Sequence, residues 1–139
     1  MKKLAIIIVC LLAVVGLAQL LMPALIWDGA TRAEIEVLAL DSGTGNGIPD
    51  VKVSLIYRRI PKMQVVTDAS GRAQLREMFP ASGSSTLLYR TTTLSTRAYS
   101  LRLEKNGFTT SEIPLAADGR VRGKRIRCRV ELQRVGGGG

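Results

Sequence analysis

The sequence predicts an all-β domain, an antiparallel sandwich of seven short strands, preceded by one apolar N-terminal helix. Three observations lead to this prediction. An uncharged apolar run fills residues 4–27, period-two alternation begins at Glu34, and turn residues punctuate the alternating segments. We therefore divide the 139 residues into an N-terminal segment (1–27), a sandwich (34–135) and a glycine tail (136–139).

The N-terminal segment predicts either an uncleaved membrane anchor or a cleaved signal peptide. Lys2 and Lys3 precede 24 residues without a charge. As a helix, this run would span about 36 Å, enough to cross a hydrocarbon core of about 30 Å. A signal peptide has a shorter apolar region and small residues at its cleavage site, for which cuts after Ala18 or Ala33 are the alternatives. The length of the run favours the anchor.

Charge predicts which side of the membrane holds the domain. The two lysines lie on the N-terminal side of the run, whereas residues 28–36 hold one arginine against three acids. The positive-inside rule places the N-terminus in the cytoplasm and the domain outside, as a single-pass protein of the cell envelope. The alternative is a secreted or periplasmic domain after signal cleavage. Cys10 lies in the apolar run and Cys128 in the domain, so we expect no internal disulfide and a buried Cys128.

Seven segments alternate between apolar and polar residues and are bounded by turn signals. Gly71 supplies a positive φ in the turn "DASG", and Asn106-Gly107 is a strong hairpin signal. The predicted strands are 34–40, 51–58, 62–67, 72–78, 98–105, 108–115 and 124–135.

One segment, residues 79–96, does not fit this pattern. It holds nine Ser or Thr residues and one charge, which predicts either an additional hairpin or a mobile loop. The tail 136–139 is a flexible end and takes no part in the fold.

Short motifs follow one another in a fixed order along residues 34–134. They are Thr44-Gly45, Gly47-Ile48-Pro49-Asp50, Val51 with Val53, Thr67-Asp68-Ala69-Ser70-Gly71-Arg72 with Leu75, Tyr99 with Leu101, and Gly107-Phe108. In this order they resemble the carboxypeptidase regulatory-like domain, which implies a transthyretin-like or immunoglobulin-like sandwich of about seven strands. About 24 residues separate Leu75 from Tyr99, roughly twice the family's usual spacing, so the resemblance makes 79–96 an insertion.

The resemblance implies little about activity, because such sandwiches serve as accessory, adhesive, sugar-binding and stabilising modules. The hydroxyisourate hydrolases have a similar fold but rely on histidines, and this chain has none. No nucleophile elbow, phosphate loop or zinc-ligand pattern is present either. We therefore predict that the chain is not an enzyme and needs no cofactor.

The loop "DSGTGNGIPDV" (41–51) could be read as a calcium site or as a connection between strands. Calcium takes six to eight oxygens, several of them carboxylate. The loop offers Asp41, Asp50 and the amide of Asn46, so we favour the connection and predict no metal site. Asp68 is expected to cap its turn through its side chain.

Basic charge is the strongest chemical feature. Beyond Lys2 and Lys3, the chain holds 18 Lys and Arg residues against 11 acids. Six cations within ten residues form what we call the basic run: Arg120, Arg122, Lys124, Arg125, Arg127 and Arg129. The last three face outward if Ile126, Cys128 and Val130 face the core. Such a row suits anionic lipid headgroups, an acidic polymer or an acidic protein, and on an edge strand it would equally deter aggregation.

These observations predict a non-catalytic extracytoplasmic binding or structural module that positions an envelope partner, and we expect a monomer in preference to an oligomer. The alternative is a carbohydrate-binding module of the same fold, with Phe79 and Tyr89 as candidate sugar contacts because sugar platforms use exposed aromatics. Nucleic acid is not expected, given the export signal and the few aromatics available to stack bases.

Overall fold

The computed structural model describes residues 2–21, 25–86 and 88–136. Within these ranges the chain forms one helix and nine strands. They are α1 (Lys2–Leu21), β1 (Leu25–Asp41), β2 (Lys52–Tyr57), β3 (Ile60–Val66), β4 (Arg72–Ser85), β5 (Thr93–Ser95), β6 (Tyr99–Glu104), β7 (Ser111–Pro114), β8 (Arg120–Arg122) and β9 (Arg125–Leu132).

Helix α1 is apolar on all sides, and its residues 3–20 are exposed. Its 20 residues span about 30 Å, which matches a hydrocarbon core. By length and composition it can cross a membrane, and a signal sequence near an N-terminus has the same properties. The predicted anchor reached Trp27, but the helix ends at Leu21 and β1 begins at Leu25. Hydropathy missed this boundary because Leu25, Ile26 and Trp27 are apolar in either state. Residues 22–24 lie outside the described ranges.

The strands form two sheets, so the predicted all-β sandwich behind an apolar helix is confirmed at this level. Sheet A has the order β8-β5-β4-β1-β9, and sheet B has the order β3-β2-β6-β7. The strand count is nine in the described residues instead of seven, because β5 and β8 have only three residues each and carry no readable alternation. The predicted antiparallel pairing also needs correction, since β1 and β9 are parallel.

Strand β1 organises sheet A. It pairs with β4 from Leu25↔Ser85 to Leu38↔Arg72 and with β9 from Glu34↔Arg125 to Asp41↔Leu132. In β1, the odd-numbered residues from Ala33 to Ala39 are buried in the core between the sheets. The core includes Ile35, Val37, Leu75, Phe79, Leu101, Leu103, Ile126, Val130 and Leu132, all nearly or fully buried. Burying each large apolar side chain stabilises the fold by about 1.5–3 kcal/mol before chain entropy is counted.

The Ser/Thr-rich segment forms an additional hairpin, one of its two predicted alternatives. Strand β4 continues to Ser85, and Ala81 and Ser82 pair with Leu94 and Thr93 of β5. Within the described residues, segment 79–96 is therefore a structured extension of sheet A.

A short turn joins β8 and β9, the two edge strands of sheet A. The Gly123 amide donates to the Thr92 carbonyl beside β5, and the Glu34 amide of β1 donates to the Lys124 carbonyl. The turn therefore bridges β5 and β1, which flank β4 in the sheet. It depends on Gly123, whose φ is +85°. We call the path from β8 through this turn into β9 the seam.

Candidate functional site

The basic run follows this seam. Arg120 and Arg122 lie on β8, Lys124 lies in the turn, and the other three arginines lie on β9. All six are exposed, whereas Ile126, Cys128 and Val130 are buried as predicted. Alternation along β9 therefore presents its arginines on the outer face of sheet A, and β9 is an edge strand.

Registers across β4, β1 and β9 place outward side chains in three rungs. Each rung takes one residue from each strand. The first is Arg76, Glu34 and Arg125; the second is Gln74, Glu36 and Arg127; the third is Arg72, Leu38 and Arg129. Neighbouring strands lie about 4.8 Å apart and successive rungs about 7 Å apart. We call this surface the rung face.

In the first two rungs, a glutamate of β1 lies between or beside arginines. Glu34 Oε1 is 3.5 Å from Arg76 and Glu34 Oε2 is 3.7 Å from Arg125. The Arg127 Nε donates to Glu36 Oε2 at 3.1 Å. These guanidinium groups are mostly exposed, so each pair contributes at most about 1 kcal/mol to folding. The pairs fix where the side chains lie.

The third rung has no acid in its centre. Leu38 is half-buried between Arg72 and Arg129. Arg129 reaches Glu131 on its own strand at 3.5 Å, and among the described residues no carboxylate lies within 4 Å of the Arg72 guanidinium. A shallow groove of about 380 Å³ covers this rung and the second. It presents guanidinium donors beside an apolar floor, an arrangement that suits a carboxylate carried on an extended chain.

Sequence reasoning missed two of the five arginines of the rung face. Arg72 and Arg76 lie on β4, about 50 residues from β9 in the sequence, and Arg32 lies outward on β1 beside Lys124. Alternation shows that these residues point outward, but it does not show which strands are neighbours.

The two candidate sugar contacts differ in their exposure to solvent. Phe79 is 0% exposed, and its ring packs 4.6 Å from that of Tyr99 in the core, so it cannot meet a sugar at the surface. The prediction of Phe79 as a sugar contact is therefore wrong, because the alternation along β4 directs this ring into the core. Tyr89 is 53% exposed at the tip of the β4–β5 hairpin.

The loop 41–51 uses its polar groups within the fold. Asp41 is 4% exposed; its Oδ1 accepts from the Gly43 amide at 2.9 Å, and its Oδ2 lies 2.7 Å from Arg134. These two contacts lower the pKa of Asp41 below its ordinary value, the amide bond having the larger effect. The carboxylate therefore ties the loop to the C-terminal strand. No group of three or more His, Cys, Asp or Glu side chains in the described ranges is placed to hold a metal ion.

The neighbouring turn, residues 67–71, is also structural. Buried Thr67 accepts from the Val51 amide at 2.9 Å and donates to the Ile48 carbonyl at 2.7 Å. Asp68 Oδ1 accepts from the Arg72 amide and from the amide and hydroxyl of Ser70, which lowers the pKa of Asp68. The predicted capping role of Asp68 is confirmed.

Cys128 is the thiol of the domain and is 7% exposed. Burial raises its pKa above the ordinary value, so the thiol is protonated at neutral pH. The prediction of a buried Cys128 is confirmed.

No family model matches the sequence, and no curated protein matches it. A solved structure of similar fold is 3-chlorocatechol 1,2-dioxygenase from Rhodococcus opacus 1CP, with a TM-score of 0.55 and 11% sequence identity. The likeness covers 82% of this chain, which spans 64% of the length of the dioxygenase chain. It supports a β-sandwich fold.

This likeness overturns the prediction that the chain is not an enzyme. The structural neighbour is an enzyme, so the sandwich cannot be used to exclude catalysis. At 11% identity the likeness concerns the fold alone, and it gives this chain no reaction or substrate.

Proposed function

We propose that this protein is a membrane-anchored, extracytoplasmic binding module that positions an acidic protein of the cell envelope on its rung face. Helix α1 serves as the anchor, and the sandwich is of the carboxypeptidase regulatory-like type. The motif residues Thr67, Asp68 and Gly71 support this type, because they join the loop after β1 to the turn before β4.

One observation carries the proposal: the third rung repeats the arginines of the first but lacks its acid. In the first rung, Glu34 lies between two arginines; in the third, Leu38 takes that place. A carboxylate from a partner, lying above Leu38, would complete the pattern and reach Arg72 and Arg129 together.

Charge also argues for an acidic partner over a second copy of this chain. Two β9 edges placed side by side would oppose arginine rows, and like charges directly opposite one another are destabilising. The domain is therefore proposed to be a monomer, with its edge strand reserved for an acidic segment.

The test is binding of fluorescein-labelled deca-glutamate to the full chain in detergent micelles, followed by fluorescence anisotropy. We expect binding that weakens as salt is added, and about tenfold weaker binding in the double variant Arg72→Gln/Arg129→Gln. The matched control is Arg58→Gln/Arg59→Gln, which removes the same charge from the β2–β3 turn of sheet B.

Equal losses in the two double variants would show attraction by net charge alone and would contradict a site on the rung face. Both variants change exposed side chains, so their stability should lie within about 0.5 kcal/mol of the parent.

A further inference from the structure

The end of sheet A that follows α1 carries an unusual share of exposed apolar side chains. Eight large hydrophobic residues of the described domain are exposed, and four of them lie at this end: Leu25, Ile26, Leu88 and Tyr89, at 60%, 77%, 71% and 53%. We call this group the apolar tip. The remaining four are dispersed over the domain.

Backbone pairing brings the two halves of the tip together. Leu25 pairs with Ser85, and Ser85 forms a bridge with Arg90. Thr86 holds the turn between them, because its Oγ1 accepts from the amides of Leu88 and Tyr89. The start of β1 and the β4–β5 hairpin therefore form one surface.

Trp27 makes this surface rigid. Its ring lies against Gly83 on β4, where an added Cβ would come within 2.9 Å of the indole. The Arg90 guanidinium lies 5.3 Å from the centre of the Trp27 ring. Cation–π attraction thus holds Arg90 directly beside the tip.

Arg122 lies farther from the apolar tip. The Lys124 carbonyl, two residues on, accepts from the Glu34 amide, nine residues along β1 from Leu25. The arginine at the tip is therefore Arg90.

The position of the tip relative to α1 is limited by chain length. Leu25 follows Leu21 by four residues, which span at most about 14 Å. If α1 crosses a bilayer, Leu25 stays within this distance of the end of the helix, and the apolar tip therefore stays close to the membrane surface. Apolar side chains with Trp and Tyr at the boundary, and an arginine beside them, suit that environment.

We propose that the apolar tip inserts into the interfacial layer of the membrane that holds α1, while Arg90 contacts anionic headgroups. This docking fixes the orientation of the sandwich, so the rung face points along a defined direction. The inference rests on the proposed function in one respect, the anchoring by α1.

The experiment places a fluorescent reporter at the tip of the full-length protein. The Leu88→Cys variant, in a Cys10→Ser background, is labelled with an environment-sensitive NBD group and reconstituted in vesicles containing about one third phosphatidylglycerol. The matched control is Val66→Cys, an exposed apolar site (59%) beside Thr67 at the other end of the sandwich. Cys128 is buried and should not react.

We expect strong emission at position 88, quenched by brominated lipid, and water-like emission at position 66. In phosphatidylcholine vesicles, or with Arg90→Gln, the docked population at position 88 should fall about fivefold. Water-like emission at position 88 in both lipids would overturn the inference. Equal emission at 88 in both lipids would overturn the part assigned to anionic headgroups.

Flotation of the same vesicles separates this inference from the proposed function. Protein that does not float with the vesicles contradicts anchoring by α1. Protein that floats while position 88 stays water-like contradicts the docking alone.

Discussion

The loop end of the sandwich and the rung face use their polar residues in opposite ways. At the loop end, Asp41, Thr67 and Asp68 each satisfy backbone or arginine partners within the fold. On the rung face, Arg72 is exposed, and its neighbour in the rung is Leu38, where the first rung has Glu34. The difference teaches that the recognisable motifs maintain the fold, whereas the proposed binding surface consists, apart from Arg72, of residues outside those motifs.

The largest effect should come from removing a loop-end contact. Thr67→Val keeps the shape of the side chain but leaves the buried Val51 amide and Ile48 carbonyl without their partner. We expect a loss of about 2 kcal/mol in the free energy of unfolding, measured by urea denaturation.

The control for this substitution is Thr110→Val, since Thr110 is exposed. It should change stability by less than about 0.5 kcal/mol. An equally small loss for Thr67→Val would contradict the conclusion that the Thr67 hydrogen bonds at the loop end stabilise the fold.

A smaller effect should appear in the pH dependence of stability. The folded-state pKa of Asp41 is lowered, so the unfolded chain binds a proton more readily. The stabilisation is complete above the unfolded pKa of about 3.8 and is lost as pH falls through the folded value. Asp41→Asn should therefore be less stable than the parent at pH 7, with the gap closing below about pH 4.

Thermal unfolding at pH 9, 7, 4 and 3 measures this gap. The difference in stability between parent and variant should be the same at pH 9 and pH 7, which provides the internal control. A gap that persists unchanged at pH 3 would mean that the Asp41 charge does not contribute through Gly43 and Arg134.

Local patterns in the sequence predicted the class of fold and most strands. Alternation placed Val53, Leu55 and Leu101 in the core, and turn chemistry placed Gly71 at a φ of +78°. Three-residue strands such as β8 are too short to show a recognisable apolar–polar alternation. The apolar residues around Leu25 are compatible with either a helix or a strand. The parallel pairing of β1 with β9 is a long-range property that no local pattern carries.

The candidate site was predictable only along one strand. The basic run is visible because its residues are consecutive, whereas Arg72 joins it through the register of β1 with β4 and β9. Phe79 was wrongly predicted to be a surface contact, because the predicted strand ended at Met78. In the structure, β4 continues to Ser85 and Phe79 faces the core.

The most direct measurement of the central claim is NMR of the arginine side chains. Full-length protein labelled with ¹⁵N would be titrated with unlabelled deca-glutamate in micelles, and the Nε–H signals followed. We expect the largest shifts at Arg72 and Arg129, with small shifts at Arg58 and Arg59. Shifts spread evenly over all exposed arginines would contradict a binding site in the third rung.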